Sequence, residues 1–252
     1  EEAIRKATRP LVSVMLANNE TGVVQPIPQI AKIVHAASGV LHVDAVQCPG
    51  RIDCDIAQLG ADLVSISSHK IGGPQGAGAL VRRGDIHVAE PLIRGGGQER
   101  GQRAGTENVP AIAGFGAAAA AAKLTDAGRM AAQRDRLETG LKAVTPEAVI
   151  FGSNARRLPN TSAFAVPGIK AETAIIAFDL NGIAVSSGSA CSSGKVQASH
   201  VLAAMGADSA LIRGGVRVSL GWSTADADVE HFLETWNVLA GSLLKERSGI
   251  AA

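Results

Sequence analysis

The chain has 252 residues, of which 46% are hydrophobic and 19% charged, with a formal net charge of +1. This composition predicts a packed core in one large domain or two modest ones and argues against global disorder. No basic cluster points to nucleic acid or an anionic membrane, and the longest apolar tract, Ala111 to Ala122, is mostly alanine and too short to span a bilayer.

In chain order, Leu11 to Ala17 reads as a strand, ended by the turn residues Asn18-Asn-Glu-Thr-Gly22. Pro26 to Ser38 reads as a helix, because Ile27, Ile30, Ala31, Val34 and Ala37 share one face, and Gly39 suits its C-terminal cap. Val40 to Val43 is a strand running into Asp44-Ala-Val-Gln47. A short helical piece near Asp55 to Leu59 precedes a buried strand, Leu63 to Ile66, which ends in Ser67, Ser68, His69 and Lys70. This is a βαβαβ order, the sign of a parallel sheet covered by helices. Ala77 to Arg82 reads as a further strand, and Pro110 to Leu124 and Arg129 to Val144 as helices.

The pattern changes near Thr125 to Gly128, so a large domain over 1–125 and a smaller α+β domain over 126–252 are expected. The second part reads as strands at Val149 to Phe151, Ser162 to Val166, Ile183 to Val185 and Val216 to Leu220. Helices are expected at Ala171 to Leu180 and Ser199 to Met205, and a last one from Thr224 with Val229, Phe232, Leu233, Trp236 and Leu239 on its apolar face. With no Tyr, five Phe and two Trp, the core must rest on Ala, Val, Leu and Ile.

Three successive strands end in polar groups: Asn19, then Asp44 with Gln47, then Ser67, His69 and Lys70. In an open α/β sheet, ligands bind at the carboxyl ends of parallel strands. A lysine there can form a Schiff base with a carbonyl cofactor such as pyridoxal phosphate (PLP). Such chemistry also needs an acid beside the pyridine nitrogen, met by Asp44. Ser67 with His69 can serve the phosphate, and Gln47 or Asn19 the ring oxygen. Each residue has an ordinary reading: a solvated loop lysine, a helix-capping Asp44, a core histidine, a turn serine.

The Gly-rich stretch Arg94 to Gly105 does not follow a strand and open a helix, which excludes a dinucleotide fingerprint. Cys48, Cys54 and Cys191 form an odd, widely spaced set without disulfide or metal-site spacing, which suits a reducing, cytoplasmic setting. Cys191 lies among Ser and Gly, in a segment expected to be exposed and able to carry a thiolate to a substrate. Arg217, a charge inside a strand, is either a residue on an exposed strand face or a bidentate partner for a substrate carboxylate.

Five motifs carry a resemblance: Asn18-Asn-Glu-Thr-Gly22; His42-Val-Asp-Ala-Val-Gln47; Ser65-Ile-Ser-Ser-His-Lys70; Gly95-Gly-Gly-Gln-Glu-Arg-Gly101 with Gly105-Thr-Glu-Asn108; and Ser187-Gly-Ser-Ala-Cys-Ser-Ser-Gly194. In this order they resemble the NifS/IscS-type cysteine desulfurases. The resemblance implies a fold-type-I PLP enzyme of the class-V aminotransferase kind that converts L-cysteine to L-alanine. It implies catalytic roles for Lys70, Cys191 and His69, with Lys70 holding the cofactor and Asp44 beside its pyridine nitrogen. Gln47 and Asn19 would meet the ring oxygen, Ser67 and His69 the phosphate, and Thr106 the phosphate of a neighbouring subunit in a homodimer. Arg217, with Asn19, would hold the substrate. Cys191 would become a persulfide, passed on to a sulfur acceptor or iron–sulfur scaffold protein.

The family's N-terminal stretch, with a phosphate-binding turn and a ring-stacking histidine, has no match here, and the chain opens at Glu1. An N-terminally truncated chain that holds PLP weakly is therefore expected. The rival readings are a selenocysteine lyase-like enzyme and an inactive fragment that only dimerises or docks a sulfur acceptor.

Overall fold

The structure, a computed structural model, describes residues 2–84, 86, 90–188 and 198–249, with backbone alone for Arg5 and 245–249. It divides into two compact units, one of residues 1–17 and 25–124 and one of residues 18–24 and 125–252.

The first unit opens with α1 (Glu2–Arg5) and β1 (Leu11–Met15), followed by α2 (Ile27–Ala36), β2 (Val40–Asp44), α3 (Ile56–Leu59), β3 (Leu63–Ser67), β4 (Gly78–Arg82) and α4 (Val109–Ala121). The strands form one sheet in the order β1-β2-β3-β4. β1 and β3 pair parallel to β2, with Leu11 opposite Val40 and His42 opposite Leu63, while β4 runs antiparallel to β3.

Alternation on β2 decides which face is inside. Leu41 and Val43 are fully buried, together with Ile27, Ala31 and Val34, whose spacing along α2 makes one apolar stripe. The other face carries the half-buried Val40, His42 and Asp44. Across that face His42 bridges neighbouring strands, with Nδ1 2.7 Å from Ser13 Oγ and Nε2 2.8 Å from Ser65 Oγ.

Gly39 does not cap α2 as expected. The left-handed residue is Ser38, at φ 53°. Gly39 instead lets the chain pass Pro10, since a Cβ there would stand 2.8 Å from Pro10 Cγ and 2.9 Å from its carbonyl oxygen.

The second unit contains α5 (Ala127–Val144), β5 (Val149–Ile150), β6 (Thr161–Ala165), α6 (Ala171–Leu180), β7 (Ser186–Ser187), α7 (His200–Ala204), α8 (Ser209–Arg213), β8 (Val216–Ser219) and α9 (Asp226–Gly249). Its sheet is antiparallel in the order β5-β6-β8-β7. The few aromatics gather in one cluster: Phe178 stacks on Phe232 at 4.8 Å and on Trp236 at 5.9 Å, and Phe164 meets both partners edge-on. The Trp236 indole N–H donates to Thr145 Oγ at 3.0 Å, which satisfies a ring with no solvent exposure.

Three elements of this unit depart most from the sequence reading. The strand expected at Ile183 to Val185 lies instead at Ser186–Ser187, paired with Arg217 and Val216. The last helix starts at Asp226, because the Thr224 carbonyl accepts from Arg129 and Gln133, and Asp228 takes the Ala225 N–H. α8, capped by Asp208, was not read as a separate helix.

Candidate functional site

In the first unit the polar residues follow from the pleat. Two residues beyond His42 and Ser65 on the same sheet face stand Asp44 and Ser67, the last residues of β2 and β3. Asp44 Oδ1 accepts the Val46 N–H at 3.0 Å, which turns the chain toward Gln47. After Ser67 the chain forms a single 3₁₀ turn, Ser68–Ile71, that presents His69 and Lys70 and ends at Gly72 with φ 85°. Ser67 Oγ and His69 Nδ1 are hydrogen-bonded at 2.9 Å. Gly73 lets this turn close, since a Cβ there would stand 2.4 Å from Ser68 Oγ.

Arg51, which the sequence reading passed over, ties the two loops together. Its Nη1 donates to the Gln47 carbonyl at 2.7 Å and its Nη2 to the Lys70 carbonyl at 3.0 Å. Burial pulls its pKa below the ordinary arginine value, while Cys48 pushes it the other way. No sequence signal marked this arginine, because its partners are backbone carbonyls of two different loops. Nearby Cys54 has its thiol pushed up, first by burial and then by Asp53 and Asp55, so it resists ionisation. Thr106 is exposed in the loop before α4, whose first turn is capped by Asn108.

In the second unit the segment 18–24 is pinned at several points. Asn18 Oδ1 accepts the N–H groups of Glu20 and Thr21 at 2.9 and 3.0 Å. Arg217, half-buried on β8, donates from Nη1 to the Asn19 carbonyl at 3.0 Å. Its Nε is buried without a hydrogen-bond partner among the described residues, an open donor suited to a carboxylate. Cys191 lies outside the described residues.

The first unit thus holds Asp44, Gln47, Ser67, His69 and Lys70 on adjoining strand ends, and the second holds Asn19 with Arg217. Among the described residues no group of three or more His, Cys, Asp or Glu side chains forms a metal site, and no helix is long and apolar enough to cross a membrane.

The sequence matches the family described as "Aminotransferase class-V" over residues 1–232. The chain belongs to this family. Similar proteins include a cysteine desulfurase of Cereibacter sphaeroides, 44% identical over 236 residues that make up 92% of this chain and 61% of that protein. Another is cysteine desulfurase IscS 1 of Archaeoglobus fulgidus, 42% identical over 251 residues, or 98% of this chain and 64% of that one. Among solved structures, a NifS-like protein from Rickettsia africae superposes with a TM-score of 0.86 at 38% identity, covering 95% of this chain and 65% of that one. The fold is the α/β fold of these NifS-like, fold-type-I proteins. The chain spans 61% of the first of these relatives and 62% of a second, from Gluconacetobacter diazotrophicus.

The family's cofactor is PLP, and the donor set of the first unit fits it. One amine, Lys70, stands after β3, an acid, Asp44, ends β2, and an amide and a hydroxyl–imidazole pair lie at the same strand ends.

Proposed function

We propose that the protein is a PLP-dependent cysteine desulfurase that converts L-cysteine to L-alanine and holds the sulfur as a persulfide on Cys191. The observation that carries this reading is the Lys70 turn joined through Arg51 to the Gln47 loop, which follows Asp44. The desulfurase names of the relatives at 42–44% identity agree with it.

When bound, PLP supplies an electron sink for the substrate carbon. Lys70 would hold it through its amine, Asp44 would keep the proton on the pyridine nitrogen, and Ser67 and His69 would serve the phosphate. Gln47 would serve the ring oxygen, a role the family resemblance gives to Asn19 as well. Thr106 would serve the phosphate of a partner copy, which would make the working form a homodimer. Arg217 offers the unanswered Nε hydrogen to the substrate carboxylate and, with Asn19, orients the cysteine. The Cys191 thiolate then attacks the substrate sulfur. The carbon–sulfur bond breaks as the sulfur–sulfur bond forms, and the carbon keeps the electron pair and takes a proton to become alanine. No outside oxidant is needed. The persulfide then passes to an acceptor, an iron–sulfur scaffold protein in the reducing cytoplasm.

The test uses the full-length protein loaded with PLP. The visible absorbance band of the bound cofactor is expected to survive gel filtration and to vanish in Lys70→Ala. Alanine should form from cysteine, and Cys191→Ser should abolish it while keeping the band. Alanine formation that persists in Cys191→Ser, or is absent from the loaded wild type, overturns the reading.

A further inference from the structure

His42 stands half-buried in the middle of β2, and both of its ring nitrogens are answered. Nδ1 lies 2.7 Å from Ser13 Oγ on β1, and Nε2 lies 2.8 Å from Ser65 Oγ on β3. Each serine hydroxyl can donate or accept, so the two satisfy the ring in either tautomer. Two bonds from opposite sides fix the plane of the imidazole and tie three strands together on one face of the sheet. None of the roles proposed for the cofactor site falls to His42.

The row at which the tie is made matters. Asp44 and Ser67 stand two residues beyond His42 and Ser65, about 6.6 Å further along the same face. They would serve two different ends of one cofactor, the pyridine nitrogen and the phosphate. The backbone register of β2 and β3 runs from His42–Leu63 to Asp44–Ser65. The Ala45 N–H then donates to the Ser65 carbonyl at 3.0 Å. Ser67 lies two residues past that last pair, where its register partner is Gly78 on β4. The separation of the two strand ends is therefore set at Ser65, and the His42–Ser65 bond braces that row side chain to side chain. Ser13, the register partner of His42, steadies the same ring from β1.

We propose that His42 is a positioning residue of the cofactor site: through Ser65 it holds the ends of β2 and β3, which carry Asp44 and Ser67, at the separation that PLP needs. This rests on the placement of PLP at these strand ends in the reading above. His42 touches neither cofactor nor substrate in this role.

The experiment uses the full-length protein and reads the cofactor itself. PLP is titrated by its visible band, and the circular dichroism of that band at saturation reports how asymmetrically the cofactor is held. In His42→Leu the PLP dissociation constant should rise about tenfold, the equivalent of one or two net hydrogen bonds, and the dichroism at saturation should fall. Two amides separate the two bonds. Gln places its amide near the Nε2 position and keeps the Ser65 bond, whereas Asn places its amide near the Nδ1 position and keeps the Ser13 bond. His42→Gln should therefore stay within about threefold of wild type, and His42→Asn should resemble His42→Leu. Ser65→Ala, useful if His42→Leu fails to fold, should reproduce the defect, and the double variant should be no worse than either single one. Ser13→Ala should lose no more than about threefold. Without cofactor, exchange of the Ala45 amide should quicken in His42→Leu and in Ser65→Ala.

An unchanged titration in His42→Leu overturns the proposal, as does unchanged Ala45 exchange. A lowered urea midpoint with normal dichroism at saturating PLP would mark a merely structural residue and overturns it too. So does equal behaviour of the Gln and Asn variants, or a Ser13→Ala defect as large as that of Ser65→Ala. A wild type without a cofactor band sinks the cofactor site and this role together. A wild type that holds PLP but forms no alanine sinks the desulfurase reading alone, because none of these readouts depends on turnover.

Discussion

Arg51 shows how much of a site can rest on a residue with no chemistry of its own. Its guanidinium spans from the Gln47 carbonyl to the Lys70 carbonyl, with burial working against its charge. Hydrogen bonds from a charged donor contribute about 1.5–3 kcal/mol each. Arg51→Met keeps much of the stem and removes both bonds. It should free the Lys70 turn from the Gln47 loop, lowering stability by about 3 kcal/mol, the low end for two such bonds because burial opposes the charge, and weakening PLP retention by about tenfold. A titration of the visible band with PLP, run beside a urea melt, checks both. An unchanged titration would mean that the two loops are held by other bonds.

Elements were most legible where one face is buried. The alternation of Leu41 and Val43 with His42 and Asp44 places β2, and the stripe Ile27, Ala31, Val34 places α2, because burial enforces both periods. β7 was not legible, since Ser186 and Ser187 have no apolar signal and are a strand only through pairing with β8. The end of α2 was misread for a different reason. A glycine after a helix is the usual left-handed residue, but here the backbone passes so close to Pro10 that Gly39 is needed for space, and Ser38 takes the positive φ. Two substitutions should therefore move in opposite directions. Ser38→Gly relieves a left-handed serine and should stabilise by about 1 kcal/mol. Gly39→Ala places a methyl 2.9 Å from a backbone oxygen that cannot easily yield and should cost about 1–3 kcal/mol. Urea unfolding of the two variants decides. If Gly39→Ala is neutral, the close approach to Pro10 is not the reason for the glycine.

At the scale of the whole chain, the sequence pattern changes near Thr125, and nothing in it shows that residues 18–24 group with residues 125–252. In the sequence they look like the turn that ends β1. Their partners lie far along the chain: Asn19 with Arg217, Glu20 with Ser199, Gly22 with Leu158, and Val24 with Arg156. The same blind spot hid the burial of Glu20, since nothing local distinguishes a buried acid from a turn residue. A cut in the sequence at residue 125 should therefore leave the second unit incomplete. Residues 125–252 produced alone would lose those four hydrogen bonds and the Val23–Arg157 bridge. At about 1 kcal/mol per bond, the loss should amount to several kcal/mol. Joining residues 18–24 to this piece through a flexible linker should restore most of it, and a scrambled heptapeptide in the same place should not. The urea midpoint read from Trp236 fluorescence measures the difference, because that ring sits at the centre of this unit's core. Equal midpoints with the native and scrambled segments would show that residues 18–24 only rest on a unit already complete without them.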